Sequence, residues 1–307
     1  MGRGTVMDQS PELLAAHQAR RDACDRLLAP SAPLPGPQAS DVVLSCPGGV
    51  ALVRNTETDP EAFLFSFGAA YESRLAPKVE GPKAFARLLD LWAAERCYRP
   101  GPDSVATITW PSRDTEVTRA LVERGFAPQT VFAVRLAGRP VTGADDPGVT
   151  VRRFEQRDVE AVVDLWIEQV LWDARFGVAA VRPSTRPRIE EQVALAVAGE
   201  EKWGWVAERD GVVVGLVVVQ PPGYSDWAAH TVRVAPAAYL TCGVVAVGER
   251  GAGVGAALAR CVHTDLDAAG IGATLLHYTA ANPLSGPFWS RCGYRPLQTV
   301  WGRGTVG

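Results

Sequence analysis

The chain has 307 residues, of which 47% are hydrophobic, and its formal net charge is −3 at pH 7. This length favours two domains of about 150 residues each. The slightly acidic balance lacks the basic footprint of a nucleic-acid-binding protein, so we expect no nucleic-acid partner. The six cysteines and four histidines form no CxxC pair and no other metal-ligand spacing. We therefore expect reduced thiols and no metal site.

No secretory leader or membrane span is predicted. The N-terminus lacks the basic and then apolar stretch of a signal peptide. The longest apolar run, VVVGLVVVQPPG (212–223), is interrupted by Gly215 and ends at Pro221, too short to cross a bilayer. We expect a cytoplasmic protein, monomeric or homodimeric, that has no membrane partner.

The first half of the chain predicts a surface helix, a hairpin, further strands and two more helices. A helix over 10–29 precedes a proline-rich connector at 30–40, and a hairpin turns at Pro47-Gly48. Helical apolar spacing is clearest over 81–96, at Phe85, Leu88, Leu89 and Trp92. The other predicted elements are strands over 62–71, 104–110 and 129–136 and a helix over 115–125.

The second half repeats this order after a loop at 137–149. Two strands within 203–219 are joined by a turn at Asp210-Gly211. The remaining predicted strands cover 149–154, 239–247, 273–279 and the chain from Tyr294, and the predicted helices cover 157–172, 186–199, the chain up to about 269, and 284–291.

Two short segments share letters as well as position. RGFAPQTVFAVR (124–135) resembles RCGYRPLQTVWGR (291–303), and each follows a predicted helix. Two copies of one unit explain both observations, and chance similarity over a dozen residues is the alternative. The interpretation gives a helix and connector at 1–40, a first copy at 41–145 and a second copy at 148–307.

The stretch GERGAGVGAAL (248–258) predicts a phosphate site. Gly251, Gly253 and Gly255 stand where a strand passes into a helix, and glycines there let ligand atoms approach the backbone. Unpaired amides and the helix dipole make such a junction attractive to pyrophosphate. A tight turn that uses glycine only for packing is the alternative.

Other nucleotide motifs fit this stretch less well. GAGVGA also satisfies the dinucleotide pattern G-x-G-x-x-A, but the next strand ends in HYTAAN without the acidic residue that pattern requires. No lysine follows the glycines, which excludes a nucleoside-triphosphate loop.

The segment from Arg250 to Gly255 instead resembles the coenzyme A loop of the GNAT family of N-acetyltransferases, R/Q-x-x-G-x-G/A. NPLSGPFWSRCGY (282–294) is similar to a second segment of that family, N-x-x-(A/S)-x-x-x-Y-x-x-x-G-F. The resemblance covers 148–307. It implies an α/β fold, with a mixed sheet and flanking helices, in two tandem acyl-CoA N-acyltransferase (GNAT) copies, of which the first is degenerate.

The resemblance also implies acetyl-CoA as cosubstrate, with the pantetheine arm between two splayed strands and the pyrophosphate on the amides of 251–256. A backbone N–H near Val245 is expected to stabilise the oxyanion. The implied coenzyme-binding residues are Gly243, Val244, Val245, Val247, Arg250, Gly251, Ala252, Gly253, Val254, Gly255, Ala256 and Asn282.

Three residues are candidates for proton transfer. His277 stands where some relatives carry a catalytic glutamate, so it is either a general base or a core histidine. Trp289 replaces the family's usual tyrosine, and indole has no useful acidity with which to protonate the leaving thiolate. The thiolate then leaves without an acid, or Tyr294 or water assists it, or the domain binds acyl-CoA without turnover.

The predicted function is direct transfer of an acetyl group from acetyl-CoA to a primary amine of a small molecule, catalysed by the second copy. The alternatives are a non-catalytic acyl-CoA-binding module and a protein N-terminal acetyltransferase. In the first copy, AYESRLAPKVEGPKAFARL (70–88) lacks the glycine triplet, and Pro82 has no N–H. We therefore expect that 41–140 keep the fold but have lost coenzyme A.

Overall fold

The computed structural model describes residues 9–143, 148–199 and 203–304. Part of the predicted boundary loop, at 144–147, lies outside these residues. The eleven strands are β1 Val42–Cys46, β2 Gly49–Glu57, β3 Tyr71–Val79, β4 Ser104–Pro111, β5 Ala127–Leu136, β6 Thr150–Arg153, β7 Gly204–Arg209, β8 Val212–Gln220, β9 Ala237–Val245, β10 Ala273–Thr279 and β11 Arg295–Gly304. The helices are α1 Pro11–Cys24, α2 Pro82–Glu95, α3 Thr115–Val122, α4 Val159–Ala174, α5 Thr185–Ala198, α6 Asp226–Ala229, α7 Val254–Ala268 and α8 Ser285–Arg291.

The chain forms two compact units, each with a mixed sheet and flanking helices. The N-terminal unit contains the chain up to Asp59, Ala69–Val131 and the chain from Pro296. The C-terminal unit contains Pro60–Gly68 and Phe132–Arg295. No helix within the described ranges is long and apolar enough to cross a bilayer.

The N-terminal unit has the strand order β1-β2-β3-β4-β11. β1 and β2 form the predicted hairpin, with Val42 opposite Val53 and Cys46 opposite Gly49. α2 covers the sheet with its predicted apolar face, since Phe85, Leu88 and Trp92 are all buried in one core cluster. The 3.6-residue period of this helix therefore positions the main packing surface of the unit.

The C-terminal unit has the strand order β5-β10-β9-β8-β7-β6. On one face, Leu216 and Val218 of β8 share a core with α4 and α5. Gly215 points to the other face, where an added Cβ would lie 2.8 Å from Leu258 of α7. Alternate side chains of β8 thus hold helices on both faces, as the period of a buried strand requires.

The same turn precedes the last strand of each predicted copy. The N–H of Phe126 donates to the carbonyl of Leu121 at 3.1 Å, and the N–H of Tyr294 donates to the carbonyl of Trp289 at 3.0 Å. Leu121 and Trp289 are therefore equivalent positions, as the shared letters predict.

The compact units do not coincide with the predicted boundaries of the two copies. β11, at the end of the second copy, pairs with β4 in the N-terminal unit, with Gln298 opposite Pro111. The second half of β5, at the end of the first copy, belongs to the C-terminal unit, where Arg135 forms an ion pair with Asp267 at 3.1 Å. The division into copies at 41–145 and 148–307 remains a prediction about the repeats.

One predicted strand is wrong, and two details elsewhere in the chain differ. Phe63–Ser66 form a short 3₁₀ helix instead of a strand over 62–71, and β3 begins only at Tyr71. The rings of Phe63 and Phe67 lie 4.6 Å apart, and Phe63 packs at 6.0 Å against Trp166. On a strand these two rings would share a face but lie about 13 Å apart, so their contact requires a helical turn, which explains the difference. In addition, α1 ends at Cys24, and α6 was not predicted.

We expect Gly204→Ala to destabilise the C-terminal unit. Its Cβ would lie 1.5 Å from the ring of Phe154, which is fully buried. Overpacking of this kind costs about 1–3 kcal/mol of the free energy of unfolding. Gly68→Ala is the control, because an added Cβ there meets no atom within 4 Å. Urea unfolding checks this, and equal midpoints for the two variants would contradict it.

Candidate functional site

β9 and β10 run side by side and then separate. They pair in parallel from Ala237 opposite Ala273 to Leu240 opposite Leu276. β9 nevertheless continues to Val245 and β10 to Thr279. Where the strands part, the register of β9 with β8 also shifts, between Val218 and Val219. A bulge of this kind bends a strand, and we call the gap between the unpaired ends of β9 and β10 the cleft.

The backbone of β9 presents polar groups to this cleft. The N–H of Ala246 donates to Val214 on the β8 side at 3.0 Å. Because successive residues of an extended strand direct their polar groups to opposite edges, Gly243 and Val245 direct theirs into the cleft. Val244 faces β8 instead, and its side chain is buried in the core beside α4. Of these three predicted contacts, the strand geometry thus brings two to the cleft.

The glycine loop joins β9 to α7 and leaves a row of amides without partners. Gly251 has φ +85° and Gly253, the N-cap of α7, has φ +99°. The first bond of the helix is from the N–H of Ala257 to the carbonyl of Gly253, at 3.0 Å. Among the described residues, no group accepts a hydrogen bond from the amides of 251–256. These N–H groups and the dipole of α7 create positive potential at the loop.

The three glycines of the loop serve different purposes. Gly251 and Gly253 adopt positive φ angles that other residues rarely take. An added Cβ on Gly255 would instead lie 3.0 Å from the ring of Phe288 in α8. The first two glycines thus shape the loop, whereas the third lets α8 pack against α7.

Arg250 connects the loop to β9 and to α4. Its Nε donates to the carbonyl of Val245 at 2.9 Å, and its guanidinium pairs with Glu168 at 3.1 Å. The guanidinium also lies 4.7 Å from the ring centre of Trp172. Arg250 therefore fixes the end of β9 relative to α4, and its predicted contact with coenzyme A remains a prediction, as do those of exposed Val247 and Ala252.

Trp289 and Tyr294 are packed together, and Trp289 lies against Gly243 of β9. Both are buried, and their rings meet edge to face at a centroid distance of 5.4 Å. The indole occupies space that a side chain at Gly243 would need, since an added Cβ there would lie 3.0 Å from it. Burial raises the pKa of Tyr294 well above its usual value, which makes this phenol a poorer acid.

His277 lies on β10 against a buried tyrosine. Its Nδ1 forms a hydrogen bond with the hydroxyl of Tyr239, and the two rings stack at 5.7 Å. Solvent reaches part of His277, but the surrounding protein displaces enough water to lower the pKa of its imidazole below 6.5. The imidazole is therefore neutral at pH 7, as a general base must be.

Asn282 and a residue that the sequence patterns did not single out form a polar pair. The Nδ2 of Asn282 donates to Oδ1 of Asp173 at 3.1 Å, and its Oδ1 accepts the N–H of Leu284. Burial raises the pKa of Asp173. Asp173 lies in the last turn of α4, where a carboxylate is unfavourable because of the helix dipole. This unfavourable position is the one feature of the sequence that could have drawn attention to Asp173.

The equivalent strands of the N-terminal unit also separate, but a side chain fills the equivalent position. β3 and β4 pair only as far as Leu75 opposite Ile108. The N–H of Val79, which corresponds to Val245, donates to Nδ1 of His17 at 3.2 Å. His17 lies on α1 and is 2% exposed. Here the backbone donor already has a partner, and Pro82 removes an amide from the start of α2.

Comparisons with solved structures identify the fold. A GCN5-related N-acetyltransferase from Sphaerobacter thermophilus matches with a TM-score of 0.54 and 14% identity, over 85% of this chain and 78% of that chain. An acetyltransferase of the GNAT family from Colwellia psychrerythraea matches with a TM-score of 0.52 and 10% identity, over 96% and 97%. The chain has the GNAT fold. Both matches cover most of the chain, so the similarity extends over both units.

A tandem GNAT protein from the clavulanic acid biosynthesis pathway matches with a lower TM-score of 0.44 and 11% identity, over 97% of each chain. The fold assignment depends on the two higher scores. No protein-family model matches the sequence, and the comparison with curated proteins found no match. The part of the chain that the structure describes contains no group of three or more metal-ligating side chains.

We expect His17 to make folding stability depend on pH. Burial lowers its pKa from 6.5 to about 3, so between these values the unfolded chain binds a proton that the folded chain does not. Stability therefore falls as the pH decreases through this window. His17→Asn keeps an acceptor for Val79 but cannot titrate. In this variant the free energy of unfolding, measured by denaturant unfolding, should change between pH 6 and pH 5 by about 1.2 kcal/mol less than in the wild type, and an equal change would contradict this.

Proposed function

We propose that the C-terminal unit transfers an acetyl group from acetyl-CoA to the primary amine of a small molecule. One observation carries the proposal: β9 and β10 separate after Leu240, and, after five residues that follow the end of β9, the chain presents six amides without acceptors at 251–256. The cleft suits an extended arm with polar groups, and the amides suit the pyrophosphate at its other end.

The residues present fit this cosubstrate. Gly243 and Val245 offer strand hydrogen bonds in the cleft, and Gly251 and Gly253 hold the loop in a conformation that turns its amides outward. Acetyl-CoA, when bound, supplies the acetyl group as a thioester. The N–H of Val245 stabilises the negative charge that develops on the carbonyl oxygen during attack.

His277 is the proposed general base. An amine is protonated at neutral pH and must lose a proton before it attacks. In the tautomer that can accept this proton, Nδ1–H donates to the hydroxyl of Tyr239 and Nε2 is free. Tyr239 thereby orients the ring, and burial raises the pKa of its phenol, so that the hydroxyl remains neutral.

The leaving group departs without an acid from the protein. Trp289 cannot donate a proton, and Tyr294 is buried with a raised pKa. Because a thiol has a pKa of about 8.5, its thiolate is a good leaving group that solvent can protonate afterwards. The replacement of tyrosine by Trp289 is also the one observation that favours a second function, an acyl-CoA-binding module without turnover.

We expect one acetyl-CoA per chain, bound by the glycine loop. Ala252 is exposed on this loop, so a new side chain there meets no core residue. Ala252→Asp should weaken binding at least tenfold by repelling pyrophosphate, whereas the uncharged Ala252→Asn should bind nearly as the wild type does. Isothermal titration calorimetry checks both. Two equivalents per chain would contradict the loss of the N-terminal site, and equal affinities would contradict the loop assignment.

We expect His277→Ala to lower kcat about 10²–10⁴-fold with little change in acetyl-CoA affinity, because it removes the base. Trp289→Phe should retain most of the activity, since the indole packs but transfers no proton. A coenzyme A release assay over a panel of amines measures both. The lowered pKa of His277 also places the acidic limb of the wild-type pH profile below pH 6.5. Tight acetyl-CoA binding without turnover of any amine would favour the binding module.

A further inference from the structure

Asp173 is a partly buried carboxyl group without a cationic partner. Burial is the main cause of its raised pKa. The hydrogen bond from Asn282 and the nearby polar side chains of Gln169 and Thr279 oppose the rise. Among the described residues no lysine, arginine or histidine forms an ion pair with it. Arg250 acts on it through space but has its own ion pair with Glu168. A carboxylate withdrawn from water in this way is stabilised by any cation that enters beside it.

Asp173 lies on the same face of the sheet as the proposed base. Thr279 lies close enough to Asp173 for its side chain to oppose the rise in the pKa of that carboxyl group, and it is two residues beyond His277 on β10. Side chains two positions apart on a strand point to the same face. His277, Thr279 and Asp173 therefore follow one another along the face that α4 covers, next to the cleft. Asn282 fixes the carboxyl at the far end of this row.

We propose that Asp173 binds the ammonium group of the amine substrate before transfer and that this substrate is a monoamine. The inference rests on the proposed function. The neighbouring acids of α4 are already paired, Glu168 with Arg250 and Asp164 with Arg186. One carboxylate without an ion pair matches one ammonium group, whereas a polyamine would leave its other charges without partners.

The sequence of events balances protons and charge. The ammonium group, held by Asp173, gives one proton to Nε2 of His277, and the freed lone pair attacks the thioester carbon. The C–N bond forms, the C–S bond breaks with its electron pair on sulfur, and the nitrogen loses a second proton as the amide forms. One proton ends on the thiolate and one is released to solvent. The amide product is neutral, so Asp173 attracts it less than the substrate, which favours its release.

Asp173→Asn tests the ammonium site. The probes are 2-phenylethylamine, n-butylamine and spermidine, with 2-phenylethanol and n-butanol as uncharged counterparts. Their binding to the protein saturated with coenzyme A is measured from the NMR shifts of the His277 ring. Wild type should bind each monoamine at least tenfold more tightly than its alcohol, and spermidine no more tightly than n-butylamine. Asp173→Asn should bind amine and alcohol alike.

Asp164→Asn is the matched control, because Asp164 lies on the same helix but is exposed and paired with Arg186. Asp164→Asn should bind each monoamine more tightly than its alcohol, as the wild type does. A preference for amines that survives in Asp173→Asn, or that is absent from wild type for every probe, overturns the ammonium site. Stronger binding of spermidine overturns the monoamine class.

Steady-state kinetics separate this inference from the proposed function. If the wild type acetylates an amine, Asp173→Asn should raise the KM for that amine at least tenfold and leave the KM for acetyl-CoA unchanged. An unchanged amine KM overturns the role of Asp173 and leaves acetyl transfer standing. Conversely, amine binding that depends on Asp173 but leads to no acetylation overturns the proposed function and leaves the ammonium site standing.

Discussion

The separation of β9 from β10 is the constraint on which the candidate site depends. Two parallel strands that stayed paired to their ends would bond every N–H and C=O between them, leaving nothing for a ligand. After Leu240 the groups of Gly243 and Val245 lose that partner strand. The free-energy cost of leaving these backbone groups unpaired is reduced because the Nε of Arg250 donates to the Val245 carbonyl. Glu168 holds the guanidinium in place through an ion pair. The same cleft edge then continues into the amides of the glycine loop.

The two units differ in whether the backbone donor near the end of the splayed strand already has a partner. In the N-terminal unit β3 and β4 also part, after Leu75, yet the donor of Val79 is bonded to His17. His17 is buried and neutral there, and its Nδ1 accepts this bond. Where the chain supplies its own acceptor, a ligand would have to displace it. Where it supplies none, as at Val245, the N–H needs a partner from outside.

Local features were predictable from the sequence, whereas features that join distant segments were not. The glycine loop, the β7–β8 turn and the apolar face of α2 depend on neighbouring residues, so their letters reveal them. The strand prediction over 62–71 is wrong because Phe63 and Phe67 pack together on one helical turn. Phe63 also packs against Trp166, about a hundred positions later in the sequence. The pairing of β11 with β4 and the contact of His17 with Val79 also join segments that are far apart in the sequence. Asp173 was missed for this reason, since its significance comes from Asn282, which lies far along the chain.

Trp289 stands at the position of the usual tyrosine, and this replacement reflects either decay of the site or its adaptation. Decay would leave a loosely packed position, but the indole is 7% exposed and fits against a residue without a side chain, Gly243. A larger residue at 243 would clash with it, so the two positions form a matched pair. Gly243 also belongs to the strand edge that faces the cleft, and a bare backbone there leaves room for a ligand. The indole therefore packs closely at the position of the usual tyrosine but lacks the acidity of a phenol, which is compatible with turnover when the leaving group is a thiolate.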